Sequence, residues 1–223
     1  RAGLAFDFIG GFSAYVHKGF TPADRALFDS IPAALAETRH VCSSVSLARS
    51  SAFEPDPGLF PALSDGPEAN GLRHVEVHQL ALGAASGRAP LMQGVFNSGD
   101  NRLLAAGGPS RRPTVEIGVK TLDDVVNGAP VHFIKIDVQG WEVSVLRGME
   151  RTIRENPPLG VRVELWPYGL RAAGTSADAL IDTLERFGFS LQFAADRGLS
   201  RTTDFAKLAD REFWFTDLYA FRR

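Results

Sequence analysis

The stretch from Val131 to Val138 (VHFIKIDV) constrains this chain more than any other. A short apolar run of this kind, followed closely by Gly140, predicts a buried strand that turns sharply into a helix. The helix that follows carries Val145, Leu146, Met149 and Ile153 on one face, and Pro157-Pro158 ends it. Gly160 to Leu165 is the next predicted strand. A second helix runs from Thr175 to Phe187, with Thr175 and Asp178 as a capping pair and Leu180, Ile181, Leu184 and Phe187 as its apolar stripe. Gly188 closes it, and Phe189–Phe193 and Phe213–Phe221 read as the last two strands. Alternating strands and helices predict an α/β fold with a mostly parallel sheet and helices on both faces.

The first half is less regular. Leu4–Ile9 is a short apolar run ending in Gly10-Gly11. Thr21, Pro22 and Asp24 open a helix that Pro32 kinks or stops. His40–Val45 and Ser51–Phe53 are strand candidates, and Asp56–Leu63 reads as a short helix. Asn70-Gly71 is a turn, and Arg73–Leu80 alternates as a strand does. Ser86–Pro113 reads as loops around short strands, followed by a strand at Thr114–Val119 and a brief helix at Thr121–Val126.

The chain has 223 residues, 44% hydrophobic and 22% charged, which suits one soluble globular domain over residues 1–223. Its formal net charge is -2, so no electrostatic footprint points to nucleic acid or an anionic membrane. No stretch reaches the roughly 18 apolar residues of a membrane span. Arg1 to Gly11 lacks a small-residue cleavage pattern and is not read as a signal peptide. Cys42 is the one cysteine; it forms no internal disulfide and suits a reducing compartment, so a cytoplasmic setting is expected. His17, His40, His74, His78 and His132 lack metal-ligand spacing. Hydrolase, Walker and zinc signatures are absent, as is a G-x-G-x-x-G after a strand, which disfavours a nicotinamide enzyme.

Three clusters can carry chemistry. Glu54, in AFEPDP, follows an apolar strand; a carboxylate at the carboxyl edge of a parallel sheet can accept hydrogen bonds from both ribose hydroxyls, or simply cap the next helix. Asp137 leaves the Val131–Val138 strand at the same kind of edge and can contact a ligand, act as a base, or cap the following helix. Lys135 is a candidate ion-pair partner for it, and Glu142 sits in the first helical turn, where negative charge is favourable anyway. Glu164 also ends a strand, and Trp166 and Tyr168 beyond it form either a pocket wall or core.

In order and spacing these segments resemble the FkbM family of methyltransferases, over roughly residues 50–222. AFEPDP, Asn70-Gly71-Leu72 and VEVHQLALG (75–83) resemble its second cofactor segment; Asn97-Ser98-Gly99 resembles its loop insertion; KTLDD (120–124) and IKIDVQGWEVSVLRG (134–148) resemble its later signatures. The resemblance implies a Rossmann-like class I fold: a mostly parallel seven-stranded sheet, helices on both faces and an antiparallel last strand. It implies S-adenosylmethionine as cofactor and methyl transfer to a hydroxyl of a sugar or other small metabolite. It further implies that Glu54 binds the cofactor ribose, that Leu80 and Ala81 lie near the adenine, that Asp137 and Glu164 are catalytic, and that Asn97, Ser98, Trp166 and Tyr168 face the acceptor.

The family's first cofactor segment is a strand, an acid and a glycine-rich turn ahead of the Glu54 position. Val41–Ser51 has neither glycine nor acid. Either the segment is lost or shortened, or Phe6–Phe12, with Asp7, Gly10 and Gly11, is a displaced version within an N-terminal extension of residues 1–40. The two possibilities separate an active methyltransferase from a methyltransferase-fold binding or interaction protein that has lost catalysis.

Overall fold

A computed structural model describes residues 50–69, 75–94, 101–104, 112–193 and 199–223. The candidates Asp7, Gly10, Gly11, Asn97 and Ser98, the His40–Val45 strand and the Asn70-Gly71 turn lie outside the described residues.

The clearest sheet is built from the segments that were most regular in sequence. Strands β7 (Phe133–Ile136) and β8 (Leu159–Leu165) run parallel; β10 (Thr216–Arg222) is antiparallel to β8 and to β9 (Ser190–Phe193), in the order β7-β8-β10-β9. The antiparallel last strand is as expected. Central β8 buries Leu159, Val161, Val163 and Leu165 completely. Helix α6 (Ala177–Arg186) packs Leu180, Ile181 and Leu184 into this core. Its cap differs from the expected Thr175: Ser176 is the N-cap, its Oγ accepting from the Ala179 N–H at 3.1 Å.

A second, two-stranded parallel sheet pairs β1 (Ser50–Phe53) with β2 (Val75–His78). The Phe53 and His78 rings stack across it, centroids 4.9 Å apart. The helix between them, α1, spans Phe60–Ala69, not 56–63. Asp56 delays it: its Oδ1 accepts from the Gly58 N–H and its carbonyl accepts from Leu59 and Phe60, which makes a turn before the helix.

The expectation of a single seven-stranded sheet needs correction. The described strands form three sheets. The third, in the order β3-β6-β4-β5, unites β3 (Ala81–Leu82), β4 (Gly87–Met92), β5 (Arg102–Leu103) and β6 (Thr114–Lys120). The chain leaves β2 at Gln79-Leu80, so the alternating run breaks there, and Ala81–Leu82 pairs in parallel with β6 instead. Leu91 and Leu103 are buried, so β4 and β5, the short strands expected within Ser86–Pro113, add an apolar face to this sheet.

Short helices link these layers. Helix α2 (Leu122–Val126) begins at Thr121, whose hydroxyl accepts from the Asp124 N–H at 3.0 Å. The single helix expected after Val138 is two, α3 (Glu142–Arg147) and α4 (Glu150–Glu155), broken at Gly148. A side chain at Gly148 would strike the Gly83 carbonyl, so the break is where the end of β3 packs in. Asp123 of α2 then caps α4, accepting from the backbone N–H groups of Arg151 and Thr152. Helix α5 (Pro167–Ala172) was not predicted; its Pro167 occupies the first turn, where a missing N–H costs nothing.

Candidate active site at the strand ends

Carboxylates follow the carboxyl ends of two strands, Glu54 after β1 and Asp137 after β7. Beyond β1, Glu54 continues the ladder by donating its N–H to the His78 carbonyl at 3.1 Å. Just past β3, the Ala84 N–H donates to Ser144 Oγ of α3 at 3.1 Å. A Cβ on Gly83 would lie 3.5 Å from the Trp141 indole nitrogen. Trp141 and Ser144 belong to the turn and helix that leave β7, so the segment after β3 touches the turn that follows Asp137.

Glu54 is 3% exposed. Its Oε1 accepts from the Asp56 N–H at 2.8 Å. Burial pushes its carboxyl up to about 7; that backbone hydrogen bond opposes the shift, and the Asp56 charge adds to it. Asp56, equally buried, is a hub: its Oδ2 accepts from Gln93 Nε2 at 2.8 Å and from Asn101 Nδ2 at 2.9 Å. Leu80 is half-buried and Ala81 fully buried in the core beside this end of β2.

The β7-β8-β10 sheet has one apolar face and one charged face. Alternation puts Ile136, Val161, Val163 and Leu218 on the first. On the second, Lys135 stands beside Arg162, and Glu164 stands beside Asp217. Arg162 holds Asp217 with two hydrogen bonds, 3.0 and 2.6 Å. Lys135 Nζ reaches Asp137 Oδ2 at 3.1 Å, the ion pair that the sequence suggested. Burial pulls the Lys135 ammonium below its ordinary range, against the attraction of Asp137.

Asp137 and Glu164 are brought together at the end of this ladder. Gln139 Nε2 donates to Asp137 Oδ1 at 3.0 Å and to Glu164 Oε2 at 3.2 Å. Burial, then the charges of Asp137, Glu142 and Asp217, push the Glu164 carboxyl well above the usual carboxylate range. Glu142, read from sequence as a helix-turn charge, is completely buried. Its Oε1 accepts from the Gly140 N–H at 3.0 Å, and its Oε2 meets no partner among the described residues. Burial raises it to about 7, although the Gly140 N–H holds it down.

Trp166 is buried, with its Nε1 donating to the Glu212 carbonyl at 2.7 Å. Tyr168 is half-buried, its ring 5.6 Å from that of Trp166. The Arg102 guanidinium lies 4.6 Å over Trp166 and 5.8 Å over Tyr168. Sequence reasoning missed the linking roles of Gln139, Asp56 and Arg102. The AFEPDP and IKIDVQG segments marked the neighbourhood of the first two; nothing marked Arg102. No group of His, Cys, Asp and Glu suited to a metal occurs among the described residues.

Comparison with known proteins follows this geometry. Residues 33–191 match the family described as the Methyltransferase FkbM domain. The chain belongs to that family. A crystal structure of the methyltransferase FkbM from Methylobacillus flagellatus KT is 22% identical to it, with a TM-score of 0.49, covering 86% of this chain and 41% of that one. Residues 2–52, which overlap the start of that match, also match a different family, described as uncharacterised ACR (DUF711). A UPF0210 protein from Pelotomaculum thermopropionicum is 63% identical over 51 residues, which is 23% of this chain and 11% of that protein. One from Halothermothrix orenii is 63% identical over 49 residues, again 11% of its length. The chain thus spans about a tenth of the curated relatives it matches. No described helix of the FkbM protein is long and apolar enough to cross a membrane.

Proposed function

We propose that this FkbM domain binds S-adenosylmethionine across the strand ends and transfers its methyl group to a hydroxyl of a sugar or another small metabolite. The observation that supports the reading is the buried Glu54 carboxyl at the carboxyl end of β1, together with the Asp137–Glu164 pair that Gln139 links in the β7-β8 sheet. The residues present suit the nucleoside half of the cofactor. Glu54, held by one backbone N–H, can accept from the two ribose hydroxyls, and Leu80 and Ala81 supply apolar surface for the adenine.

The bound cofactor would supply a methyl group already activated by the sulfonium charge. The protein's task is then positioning and proton removal. Asp137, ion-paired to Lys135, serves as the base for the acceptor hydroxyl; each carboxylate oxygen keeps a lone pair beyond the bonds it already accepts. Glu164, whose carboxyl favours its proton, stands beside it as a neutral hydrogen-bonding partner. Tyr168, in front of the Trp166–Arg102 stack, offers an aromatic face to the acceptor.

Isothermal titration with S-adenosylmethionine, followed by a methyl-transfer assay on hydroxylated acceptors, tests this. Heat of binding and a thermal shift are expected. A second reading, a binding module that has lost catalysis, is favoured by one observation: residues 2–52, where the first cofactor segment would stand, match the DUF711 family. Absence of heat at millimolar cofactor would select it.

A further inference from the structure

Gln139 has been described as a link, and its backbone shows what that link requires. It is left-handed, with φ 52°, and so is Gly140, with φ 101°. The Trp141 N–H donates to the Val138 carbonyl at 3.3 Å across them, so residues 138–141 form a turn with positive φ at both central positions. Glycine, asparagine and aspartate suit the first of these positions, because a longer side chain brings its Cβ against the backbone. A glycine at 139 would serve the turn better. The glutamine is kept against that local preference, and strain of this kind concentrates where a side chain has a task.

The task is visible in its carboxamide. A primary amide carries two N–H donors on one nitrogen, and Gln139 Nε2 spends them on two different carboxyl groups, Asp137 and Glu164. These come from neighbouring strands and would repel if both were ionised. Lys135 holds the other Asp137 oxygen, so both oxygens of that carboxylate are fixed in place. We propose that Gln139 is the positioning residue of this site: its carboxamide clamps Asp137 and Glu164 side by side, so that both address one acceptor hydroxyl at the strand ends. The proposal rests on the methyl-transfer reading above.

Gln139→Gly relaxes the turn and removes only the clamp, so the variant is expected to melt no lower than the wild type. A carbon-detected NMR titration of the side-chain carboxyls should then show the Glu164 midpoint moving to higher pH by roughly one unit, the size of a lost hydrogen bond to a charged group. Superimposable Glu164 titrations in the two proteins would overturn the clamp. Calorimetry with S-adenosylmethionine on the same samples should give equal affinities, since Glu54 and not Gln139 is assigned to the nucleoside. An affinity tenfold weaker in the variant would put Gln139 on the cofactor and overturn its assignment to the acceptor side. A wild-type chain that binds no S-adenosylmethionine rejects the methyl-transfer reading, and with it the acceptor hydroxyl, whatever the titrations give.

Discussion

Asn101 donates from Nδ2 to Oδ2 of Asp56 at 2.9 Å, a buried contact between residues 45 positions apart. The next residue, Arg102, places its guanidinium over Trp166 and within 3.8 Å of Glu212. Two consecutive side chains at the start of β5, Asn101 just before it and Arg102 within it, thus reach two different segments. Asn101 steadies the acidic segment after β1, and Arg102 packs on the aromatic segment after β8. The β4–β5 hairpin ties together two strand ends that belong to different sheets.

That tie is testable through its hub. Asp56→Ala leaves the amides of Gln93 and Asn101 without their acceptor, and Asn101 is only 2% exposed. A loss of about 2–3 kcal/mol in unfolding free energy is expected, since each buried orphan donor costs about 1–3 kcal/mol. Denaturant melts measure the loss. Faster hydrogen exchange at Leu91 and Leu103 would localise it to the hairpin.

Glu54→Ala is expected to weaken S-adenosylmethionine binding by about 1–3 kcal/mol, through lost hydrogen bonds to the ribose. Calorimetry that gives unchanged affinity removes Glu54 from the site. Wild-type binding should also depend on pH. Accepting from hydroxyls favours the ionised carboxyl, and Glu54 in the free protein sits at about 7. Affinity should therefore fall as pH drops below about 7, with protons released on binding near that pH. Titrations in buffers of different ionisation enthalpy detect the release.

Glu142 offers a prediction about stability alone. Its folded-state carboxyl lies at about 7, raised above the ordinary 4.5, so the folded protein holds this proton more tightly than the unfolded chain does. The stability linked to that proton is full below about 4.5 and is lost as pH rises through about 7. Glu142→Gln keeps the acceptor for the Gly140 N–H and removes the charge. It should match the wild type at pH 4.5 and exceed it by about 1–3 kcal/mol at pH 8, as read from melts at the two pH values. A variant that loses stability at pH 8 would contradict this.

Gly140→Ala should be far more damaging. The position has positive φ, and a Cβ there would strike the Gly169 backbone of α5. About 3 kcal/mol of destabilisation is expected from strain and overpacking together. Melting within a degree of the wild type would mean that the β7–α3 turn does not pack against α5 as described.

Much of the second half was legible because local signals agreed there. Thr175, Leu180, Ile181, Leu184 and Gly188 place a helix within two residues of its observed ends, although the cap itself is Ser176. Glu54 and Asp137 were legible as acids just past an apolar run, whereas Glu164 lies within β8, one residue short of its end. Other features depend on distant partners. The break at Gly148 is imposed by Gly83, 65 positions away, and no helix propensity registers it. The third sheet depends on β6 pairing with β3 on one side and with β4 on the other. The burial of Glu142 depends on a turn whose left-handed Gln139 carries no strong sequence mark.

The central claim is that Glu54 and the Asp137–Glu164 pair border one ligand, with the nucleoside at the first and the reacting sulfur facing the second. A crystal structure of the chain with S-adenosylhomocysteine tests it most directly. The ribose hydroxyls are expected on the Glu54 carboxyl, with the sulfur turned toward Asp137. A nucleoside bound away from Glu54, or with its sulfur directed away from Asp137 and Glu164, would contradict the account.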